Sequence, residues 1–590
     1  METKWTVCGK KADFKGIGER FQIDQVVARV IRNRDIVGDA EIERYLHGTL
    51  ADVHDPADMA DMESGCRIMA EKIRTGKAIR IISDYDVDGI MSNYILYDGL
   101  GSLGAEISYE IPDRVADGYG INERMIQDAH EEEIDTIITC DNGIAAFPAI
   151  ELAKSYGMTV IVTDHHEVPY DMDADGNRHY RLVPADAVID IKRQDCNYPY
   201  KGLCGAAVAY KFIRHLYTVM GQPWENEERY IEFVAIATQC DVMELTDENR
   251  IYVKKGLEIL PRTTNKGLRA LLAVNQLAGK KIYSYHLGFI IGPCLNATGR
   301  LESAKKGLEL LLCDDEKETM RLAEEMQDLN RLRKEMTEEG VQRALEQVDS
   351  HLAEDKVLVV YLPELHESLA GIVAGRVREQ YYRPVFVVTR SESGLLKGSG
   401  RSIDGYHMFD ALTECEYLLR KYGGHAMAAG FSLEEKNLDS FREALNRNQH
   451  MTEEDLTPVL RLDVPMPMSY VTPKLVEDLR LLEPFGNGNE KPVFGQAQMK
   501  IKQAKFLGRE QKYIRITFMD SDGYCTEGID FHANNFITCI KLWFSEEECD
   551  RMLKGLPNHI ILDVAYYPDV NQYGGYETVQ VKPVMYRKSR

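Results

Sequence analysis

Apolar runs alternate with helix-forming segments along the first half of the chain. Between residues 77 and 250, the runs KAIRIIS, EISYEIP, IDTIITC and MTVIVTD are separated by segments with helical spacing, such as AIELAKSYG. This alternation predicts a mostly parallel α/β sheet. Loops from several strands converge at the carboxyl edge of such a sheet, so the polar residues that follow each strand are where we expect a site.

Later segments of the chain show other patterns. Residues 314–349 are rich in helix formers, with apolar residues at spacings of three and four, and predict a long connecting helix. KVLVVYL, PVFVVT and KGSGRSIDG then predict a smaller α/β lobe. From Val493 onward, strand-like runs such as YIRITFMD and HIILDVAYY, with turn signals between them, predict a small β-barrel.

These patterns predict the α/β fold class with several domains. We expect a helical cap over residues 1–75, a parallel-sheet catalytic domain over 76–255, a helical connector with a long linker helix over 256–349, a smaller α/β domain over 350–455, and a barrel resembling the OB fold over 456–590. A length of 590 residues requires several separate cores.

Composition narrows the class of protein. The sequence has no apolar stretch long enough to cross a membrane and no apolar core of a secretory signal near its start. We therefore expect a soluble, cytoplasmic protein without a membrane partner. The 12 cysteines form no CxxC pair, which favours reduced, buried thiols over zinc ribbons or a disulfide framework.

Charge is distributed unevenly. The net charge of −24 argues against a general polyanion-binding surface, yet residues 456–590 hold 17 basic and 17 acidic residues and are neutral. In that segment basic residues alternate with apolar positions around Phe506 and Tyr513. The basic residues are Lys500, Lys502, Lys505, Lys512 and Arg515. This pattern suits sequence-tolerant binding of a single strand, and its alternative is a solvated strand face.

Carboxylates and imidazoles follow three of the predicted strands. KAIRIIS leads into Asp84, Asp86 and Asp88, which share one face if the chain is extended there. IDTIITC leads into Asp141, and MTVIVT leads into Asp164-His165-His166. Such close carboxylates repel one another unless a cation neutralises them, and the mixture with imidazole suits Mn²⁺ or a similar metal. A further carboxylate, Asp241, follows IEFVAIATQC. The alternative is an acidic surface loop.

The motifs that contain these residues resemble one known family. DYDVDG, CDNGI, TDHHEVP, KGLCGAAVAYKF, GPCLNATGRLESA, KGSGRSIDGYHMFDAL, YGGHAMAAGF and LLEPFGNGNEKPVF follow one another over roughly residues 20–590. In this order they resemble the DHH phosphoesterase superfamily and, within it, the bacterial single-strand-specific exonucleases. The resemblance implies a DHH domain, a DHHA1 domain and a C-terminal OB domain.

The resemblance also implies a site with two cations, Mn²⁺ or Mg²⁺. Asp86 and Asp141 would hold one ion, and Asp88, Asp141, His165 and Asp241 would hold the second, with Asp141 bridging. Asp84 would either ligate the first ion directly or influence it through the residues that do. His166 would lie beside the scissile phosphate. Many family members carry a His where this chain has Ile82. That departure leaves the first ion one imidazole short.

Phosphate contacts are expected from the DHHA1-like lobe and from three other positions. The matching residues in that lobe are Arg401, Ser402, Gly423, Gly424 and His425, and the other candidates are Arg114, Asn296 and Arg300. Guanidinium groups and backbone amides of a glycine-rich loop donate several hydrogen bonds to one anion. For each of the three other candidates the alternative is a structural role.

The resemblance implies a 5′→3′ exonuclease that converts single-stranded DNA to mononucleotides in repair or recombination. Its implied partners are single-stranded DNA and, as further candidates, a helicase or a single-strand-binding protein. Two alternatives stay open: a phosphodiesterase for short oligonucleotides, RNA or cyclic dinucleotides, and a catalytically silent scaffold for single strands. Gln239-Cys240 before Asp241, Glu244, and the segment DIKRQDC depart from the usual pattern and indicate a divergent paralogue.

Overall fold

The chain forms two compact units. The computed structural model describes residues 3–114, 116–173, 176–391, 394–573 and 576–589. One unit joins residues 3–48 to 459–589, and the other comprises residues 49–458. The predicted cap over residues 1–75 is therefore divided between the two units. In the described segments no helix combines the length and the apolar character needed to cross a membrane.

The N-terminal segment belongs to the first unit. It contains strand β1 (Lys4–Val7) and helices α1 (Phe14–Phe21), α2 (Gln25–Asn33) and α3 (Asp39–His47). Strand β1 pairs in parallel with residues 459–462. Val27, Val30 and Ile31 of α2 are buried in a core that consists otherwise mainly of C-terminal residues. The backbone amide of Asp24 donates to the Asp478 carboxylate at 3.0 Å, which fixes the start of α2.

The second unit begins with a parallel sheet. Its elements are α4 (Met62–Arg74), β2 (Ala78–Ser83), α5 (Val87–Ser102), β3 (Glu106–Glu110), α6 (Glu123–Glu131), β4 (Thr136–Cys140), α7 (Phe147–Ser155), β5 (Thr159–Asp164), β6 (Tyr170–Met172), β7 (Arg178–Tyr180) and β8 (Ala187–Asp190). The strand order is β3-β2-β4-β5-β8, and each neighbouring pair is parallel. The strands β4 and β8 are buried along their whole length because helices cover both faces of the sheet. The predicted parallel α/β domain is thus confirmed.

Helices follow the sheet in the sequence. They are α8 (Gly205–Val219), α9 (Ile231–Cys240), α10 (Asp247–Ile259), α11 (Lys266–Val274), α12 (Ser284–His286), α13 (Gly292–Leu301), α14 (Lys305–Leu312) and α15 (Glu316–Gln347). A π-helical turn over Leu287–Ile291 connects α12 to α13. The first half of α15 packs Leu322 and Met326 with the helices, and Ala344 near its end lies in the core of the next lobe. The predicted long linker helix is confirmed.

A smaller α/β lobe completes the second unit. Its elements are β9 (Leu358–Tyr361), α16 (Ala370–Tyr381), β10 (Val385–Arg390), β11 (Leu396–Arg401), α17 (Met408–Glu414), β12 (Leu419–Gly424), β13 (Ala428–Leu433) and α18 (Leu438–Asn448). The strand order is β12-β13-β11-β10-β9, with only the β9–β10 pair parallel among the described strands of this sheet.

The first unit is completed by a closed barrel. The C-terminal elements are β14 (Val459–Leu462), β15 (Val464–Pro465), α19 (Pro473–Arg480), β16 (Phe494–Leu507), β17 (Tyr513–Met519), β18 (Cys525–Asp530), α20 (Ala533–Trp543), α21 (Glu546–Leu553), β19 (Ile561–Tyr573) and β20 (Tyr576–Lys588). Strand β16 pairs with both β17 and β19, so the order β16-β17-β18-β20-β19 closes on itself. Ile514, Ile516 and Phe518 point inward at alternate positions of β17. The predicted barrel is confirmed.

A buried ion pair fixes helix α8 against helix α10. The ammonium group of Lys211 lies 2.9 Å from the carboxylate of Glu248, and the two side chains are 1% and 0% exposed. Lys211 also donates to the backbone carbonyl of His54 at 2.8 Å, and the hydroxyl of Tyr198 donates to Glu248. The pair is fully desolvated, so each charge depends on its partner.

We expect Lys211→Met to destabilise the second unit by about 3–5 kcal/mol, because it leaves the Glu248 carboxylate buried and unpaired. Lys211→Met/Glu248→Gln removes both charges and should be less destabilised than the single variant. Trp224 lies in this unit, so its fluorescence in a Trp5→Phe/Trp543→Phe background follows the unfolding of this unit in urea. Lys255→Met, which breaks the half-exposed pair with Glu228, is the control and should cost less than about 1 kcal/mol. Equal losses in the single and double variants would contradict this account.

Candidate metal centre and phosphate cleft

Strand β2 delivers the first group of carboxylates. Asp84 directly follows the strand and is 3% exposed. Asp86 caps helix α5, where its Oδ1 accepts hydrogen bonds from the amides of Asp88 at 2.8 Å and Gly89 at 3.2 Å. The extended conformation considered for residues 84–88 is wrong, since the helix begins at Val87. Asp84 and Asp86 share one group of ligand atoms with Asp141, whereas Asp88 belongs to a group with His165 and Asp241.

Asp88 is oriented by the start of another helix. Its two carboxylate oxygens accept hydrogen bonds from the amides of Gly205 at 2.6 Å and Ala206 at 2.7 Å, in the first turn of α8. Amides at a helix N-terminus stabilise negative charge. A Cβ atom at Gly205 would lie 2.8 Å from the Cβ of Asp141, so the motif KGLCGAA needs glycine there for this close approach.

Asp141 and His165 occupy the centre of the cluster. Asp141 follows β4 with a left-handed φ of 60°. The Nε2 atom of His165 lies 3.0 Å from Asp141 Oδ1, 3.5 Å from Asp88 Oδ2 and 3.8 Å from Asp241 Oδ2. Asp241 reaches the cluster from the C-terminal end of α9.

These side chains form three overlapping groups of ligand atoms. Within each group the atoms lie within 4.8 Å of one another. The groups are Asp84, Asp86 and Asp141; Asp88, His165 and Asp241; and Asp141, His165 and His166. The structure therefore brings together every residue that the sequence suggests as a metal ligand.

The close, buried carboxylates of the cluster favour the binding of a cation. Burial and the charges of Asp88, Asp86 and Asp84 raise the pKa of Asp141 well above its usual value. Burial and the charges of Asp88 and Asp86 raise the pKa of Asp241 to about 8. Asp84 Oδ1 is buried without a hydrogen-bond partner among the described residues. Hard divalent cations take such carboxylate oxygens as ligands, so the residues fit divalent metal binding.

His165 and His166 differ in environment. Burial lowers the pKa of His165 to about 4, which keeps its imidazole neutral, as a metal ligand must be. Burial opposes protonation of His166 as well, but the hydrogen bond from its Nδ1 to Asp164 and the charge of Asp164 raise its pKa to about 9. The Nδ1–Oδ1 distance is 2.7 Å.

Sequence reasoning assigned no role to two residues that orient this site. Asp164 accepts hydrogen bonds from the amides of His165 at 2.8 Å and Ile144 at 2.9 Å, which fixes the loop after β5. Tyr119 donates from its hydroxyl to the carbonyl of Asp141 at 2.8 Å and lies 3.2 Å from His166. The adjacency of Asp164 to the two histidines was a signal, whereas nothing distinguished Tyr119 from other tyrosines.

Ile82 and Cys240, where the sequence departs from the usual family pattern, both pack within the fold. Ile82 is fully buried in the core beside β4, and its carbonyl accepts a hydrogen bond from the Asn142 amide at 3.2 Å. The thiol of Cys240 donates to the carbonyl of Leu287 at 3.6 Å, and burial raises its pKa. Neither residue belongs to the three groups of ligand atoms described above.

A second feature is a cleft of about 390 Å³ next to the carboxylates. Its lining comes from both lobes of the second unit and includes Tyr85, Arg114, Arg300, Lys397 and Arg401. The guanidinium of Arg114 lies 4.6 Å from the centre of the Tyr85 ring. Lys397 is paired with Glu367 at 2.7 Å.

The arginines of the cleft lack acidic partners. Arg300 donates to the Ser368 carbonyl at 2.6 Å and Arg401 to the Gly400 carbonyl at 2.7 Å, and within the described part of the chain no carboxylate forms an ion pair with either or with Arg114. Burial, together with the neighbouring charge of Arg114, lowers the pKa of Arg300 to about 9. Burial and the charges of Arg378 and Arg114 lower the pKa of Arg401. Such an excess of positive charge favours the binding of an anion in the cleft.

The other predicted phosphate residues lie in different surroundings. Asn296 is half-buried on α13. Ser402 is fully buried, and its hydroxyl donates to the carbonyl of Tyr406 at 2.6 Å. Gly423 and Gly424 end β12, where Gly424 has a φ of 143° that favours glycine. His425 lines a cavity of about 650 Å³ together with Tyr119, His166 and Lys192.

The barrel of the first unit presents basic and aromatic side chains. Lys500, Lys502 and Lys505 of β16 are exposed and alternate with buried positions, and Lys505 lies opposite Arg515 of β17. Phe506 packs against the barrel core, so it does not belong to this outer surface. Tyr513 instead contacts the exposed Phe531, with ring centres 5.5 Å apart. Phe531 is not among the residues that the sequence pattern predicted for this surface.

Family models match most of the chain. Residues 78–238 match the DHH family, N-terminal domain; residues 354–450 match the DHHA1 domain; and residues 462–584 match the RecJ OB domain. These matches fall on the parallel sheet, the smaller lobe and the barrel.

Named relatives and a solved structure extend the similarity. The chain is 32% identical over 587 residues to the single-stranded-DNA-specific exonuclease RecJ of Escherichia coli, covering 95% of each chain. It is 33% identical over 509 residues to the Bacillus subtilis protein of that name, covering 85% of this chain but only 62% of that relative's length. The crystal structure of Thermus thermophilus RecJ with Mn²⁺ matches with a TM-score of 0.81 and 27% identity, covering 100% of this chain and 80% of that one.

We expect Asp141→Asn to abolish stabilisation by Mn²⁺. The substitution removes the carboxylate that belongs to two ligand groups, and it also relieves repulsion when no metal is present. In EDTA the variant should therefore melt at or above the temperature of the wild type, and added Mn²⁺ should raise the melting temperature of the wild type alone. Differential scanning calorimetry measures both. Asp314→Asn, at a carboxylate that is 98% exposed, is the matched control and should keep the Mn²⁺ effect. A full Mn²⁺ shift in Asp141→Asn would disprove this assignment.

Proposed function

Because the chain belongs to the RecJ family of single-stranded-DNA-specific exonucleases, we propose that it hydrolyses single-stranded DNA from the 5′ end to mononucleotides with two divalent cations, Mn²⁺ or Mg²⁺. The observation that carries the proposal is the position of Asp141. Its carboxylate belongs both to the group with Asp84 and Asp86 and to a group with His165. A residue shared in this way is what a bridging ligand requires.

In this proposal each ligand has a distinct role. Asp84, Asp86 and Asp141 hold one cation, and Asp88, Asp141, His165 and Asp241 hold the other. Bound cations supply positive charge that polarises a phosphodiester and favours ionisation of water. The chain contributes by holding its carboxylates in position through helix N-termini and by keeping His165 neutral. His166, oriented by Asp164, lies beside the scissile phosphate and donates a hydrogen bond to it.

The arginine cleft supplies the second half of the proposed site. Arg114, Arg300 and Arg401 hold a phosphate group one nucleotide away from the scissile bond. Tyr85 connects this cleft to the carboxylates, because it lines the cleft and stands between Asp84 and Asp86 in the sequence. An end phosphate held there would place the first internal phosphodiester at the cations. This arrangement favours removal of single nucleotides from the end that carries the phosphate.

The barrel supports a single strand as the substrate. The exposed Lys500, Lys502 and Lys505, with Arg515 and the Tyr513–Phe531 ring pair, form a basic and aromatic surface. Such surfaces bind the backbone and stack bases with little sequence preference. We propose that this surface holds the strand during digestion in cytoplasmic DNA repair or recombination, where a helicase or a single-strand-binding protein would supply the substrate.

End-labelled single-stranded DNA tests the activity and its polarity. We expect early release of a 5′ label as mononucleotide in Mn²⁺ or Mg²⁺, slow release of a 3′ label, and no release in EDTA or from Asp141→Ala. Duplex DNA and a cyclic dinucleotide serve as comparison substrates. Intact single strands in every lane, with the strands still retarded by the protein on a gel, would overturn the exonuclease proposal in favour of a silent scaffold.

Arg401→Gln tests the phosphate cleft. A charge-assisted hydrogen bond contributes about 1.5–3 kcal/mol, so we expect kcat/KM on 5′-phosphorylated DNA to fall by about 10- to 100-fold. The loss should be smaller on 5′-hydroxyl DNA, which has no end phosphate. The variant should therefore no longer show a preference for the phosphorylated substrate. Arg390→Gln, at an exposed arginine of the same lobe that pairs with Glu435, is the control and should leave both rates unchanged. Equal loss on both substrates would argue against recognition of the end phosphate.

A further inference from the structure

Two aromatic rings lie exposed beside the metal centre. Tyr285 of α12 and Phe289 of the π-helical turn are each 61% exposed. Their ring centres are 4.9 Å apart and the ring planes differ by 17°, so the rings are stacked. Residues four apart on a helix lie on the same face. We call this pair the aromatic platform.

Positive charge accompanies the aromatic platform. Lys280 and Lys281 are exposed just before it, and the ammonium of Lys281 lies 4.9 Å from the centre of the Tyr283 ring. In the described residues neither lysine forms an ion pair with a carboxylate. Rings with neighbouring cations are the combination that binds bases and backbone of a single strand.

Helix α13 continues directly from the π-helical turn that bears Phe289, and it contacts both sides of the metal centre. At its beginning, a Cβ atom on Gly292 would lie 2.3 Å from the thiol sulfur of Cys240, the residue before Asp241. Near its end, a Cβ atom on Gly299 would lie 2.9 Å from the carbonyl of Tyr85, the residue after Asp84. The platform is therefore on the Asp241 side of the carboxylates, and the arginine cleft is on the Tyr85 side.

One face of this helix connects the platform to the cleft. Phe289, Pro293, Asn296 and Arg300 follow one another at spacings of three and four and are all at least partly exposed, whereas Cys294, Leu295 and Ala297 between them are buried. From Tyr285 to Arg300 the helix extends about 22 Å at 1.5 Å per residue. That length accommodates several nucleotides.

We propose that the aromatic platform stacks the bases of the strand downstream of the scissile phosphate. The end phosphate lies in the arginine cleft, the scissile phosphate lies at the carboxylates, and the next bases lie on Tyr285 and Phe289. Asn296, on the connecting face, contacts the backbone between them. This inference rests on the proposed function, because it assumes that a single strand enters the arginine cleft by its end.

A single strand fits this surface better than a protein segment does. An apolar peptide would need a groove, whereas the two rings project into solvent from one helix face with lysines beside them. Stacking on a flat ring also requires no particular base, which suits an enzyme that must digest any sequence.

Binding in EDTA tests the aromatic platform without cleavage. The probes are a 5′-phosphorylated oligonucleotide and one of the same length in which the bases downstream of the first linkage are replaced by abasic sites. Fluorescence anisotropy with the full chain should give about tenfold weaker binding of the abasic probe to the wild type. The variant Tyr285→Ala/Phe289→Ala should bind the intact probe about tenfold more weakly than the wild type does, and its preference for the intact probe over the abasic probe should be smaller than that of the wild type.

Conservative and matched variants complete the experiment. Tyr285→Phe keeps the ring and should keep the preference for the intact probe. Tyr417→Ala, at a tyrosine of the same unit that is 67% exposed, is the control and should behave as the wild type does. A double variant that still prefers the intact probe as strongly as the wild type would overturn the proposal and leave the rings as a surface for a protein partner. The digestion experiment tests the exonuclease proposal separately. Intact DNA there would count against that proposal whatever the binding comparison shows.

Discussion

Mutual repulsion among buried carboxylates is the constraint on which the second unit depends. Asp88, Asp141 and Asp241 reach the same imidazole, His165, within 3.8 Å. Two unit charges 4 Å apart repel by about 4 kcal/mol at an effective dielectric constant of 20. The surrounding structure balances this cost with backbone amides at the starts of helices α5 and α8. A bound cation would reverse the sign of the same interaction, so carboxylates that repel one another without a metal favour the binding of a divalent cation.

Glycines allow the backbone to come close enough to these charges. A Cβ atom at Gly89 would lie 2.2 Å from the carbonyl of Asp84, and one at Gly205 would lie 2.8 Å from the Cβ of Asp141. Both glycines are in the first turn of a helix, where the amides point toward the carboxylates. The buried Lys211–Glu248 pair then holds α8 itself in position two turns later. The geometry of the site therefore depends on residues that lie outside the three groups of ligand atoms.

The sequence predicted the parts of the structure that are local or repeated. Asp84, Asp141 and His165 were predictable as neighbours because parallel strands end at one edge of a sheet, and apolar runs identify those strands. Asp88 was predicted to face the same way as Asp84 but lies in a helix, because α5 begins one residue after Asp86. Ser402 illustrates a second limit. Its sequence motif does not reveal that its hydroxyl donates to Tyr406 in the interior. Pairing of Lys4 with Val459 joins residues that are far apart in the sequence, and no local pattern encodes it.

Opposite charges on either side of Tyr85 give the site its direction. The carboxylates that precede and follow Tyr85 attract cations, while Arg114, whose guanidinium lies against the Tyr85 ring, belongs to a cleft that attracts anions. A polyanion bound across this boundary must place one phosphate at the guanidinium groups and the next at the cations, because either group in the opposite position would meet like charge. Under the proposed function, these two contacts would set the register of a strand, and helix α13, which approaches Cys240 at Gly292 and Tyr85 at Gly299, would guide where the strand continues. Under the proposed function, selection of an end and removal of one nucleotide at a time would follow from the placement of these two charged regions, without any contact that reads the base sequence.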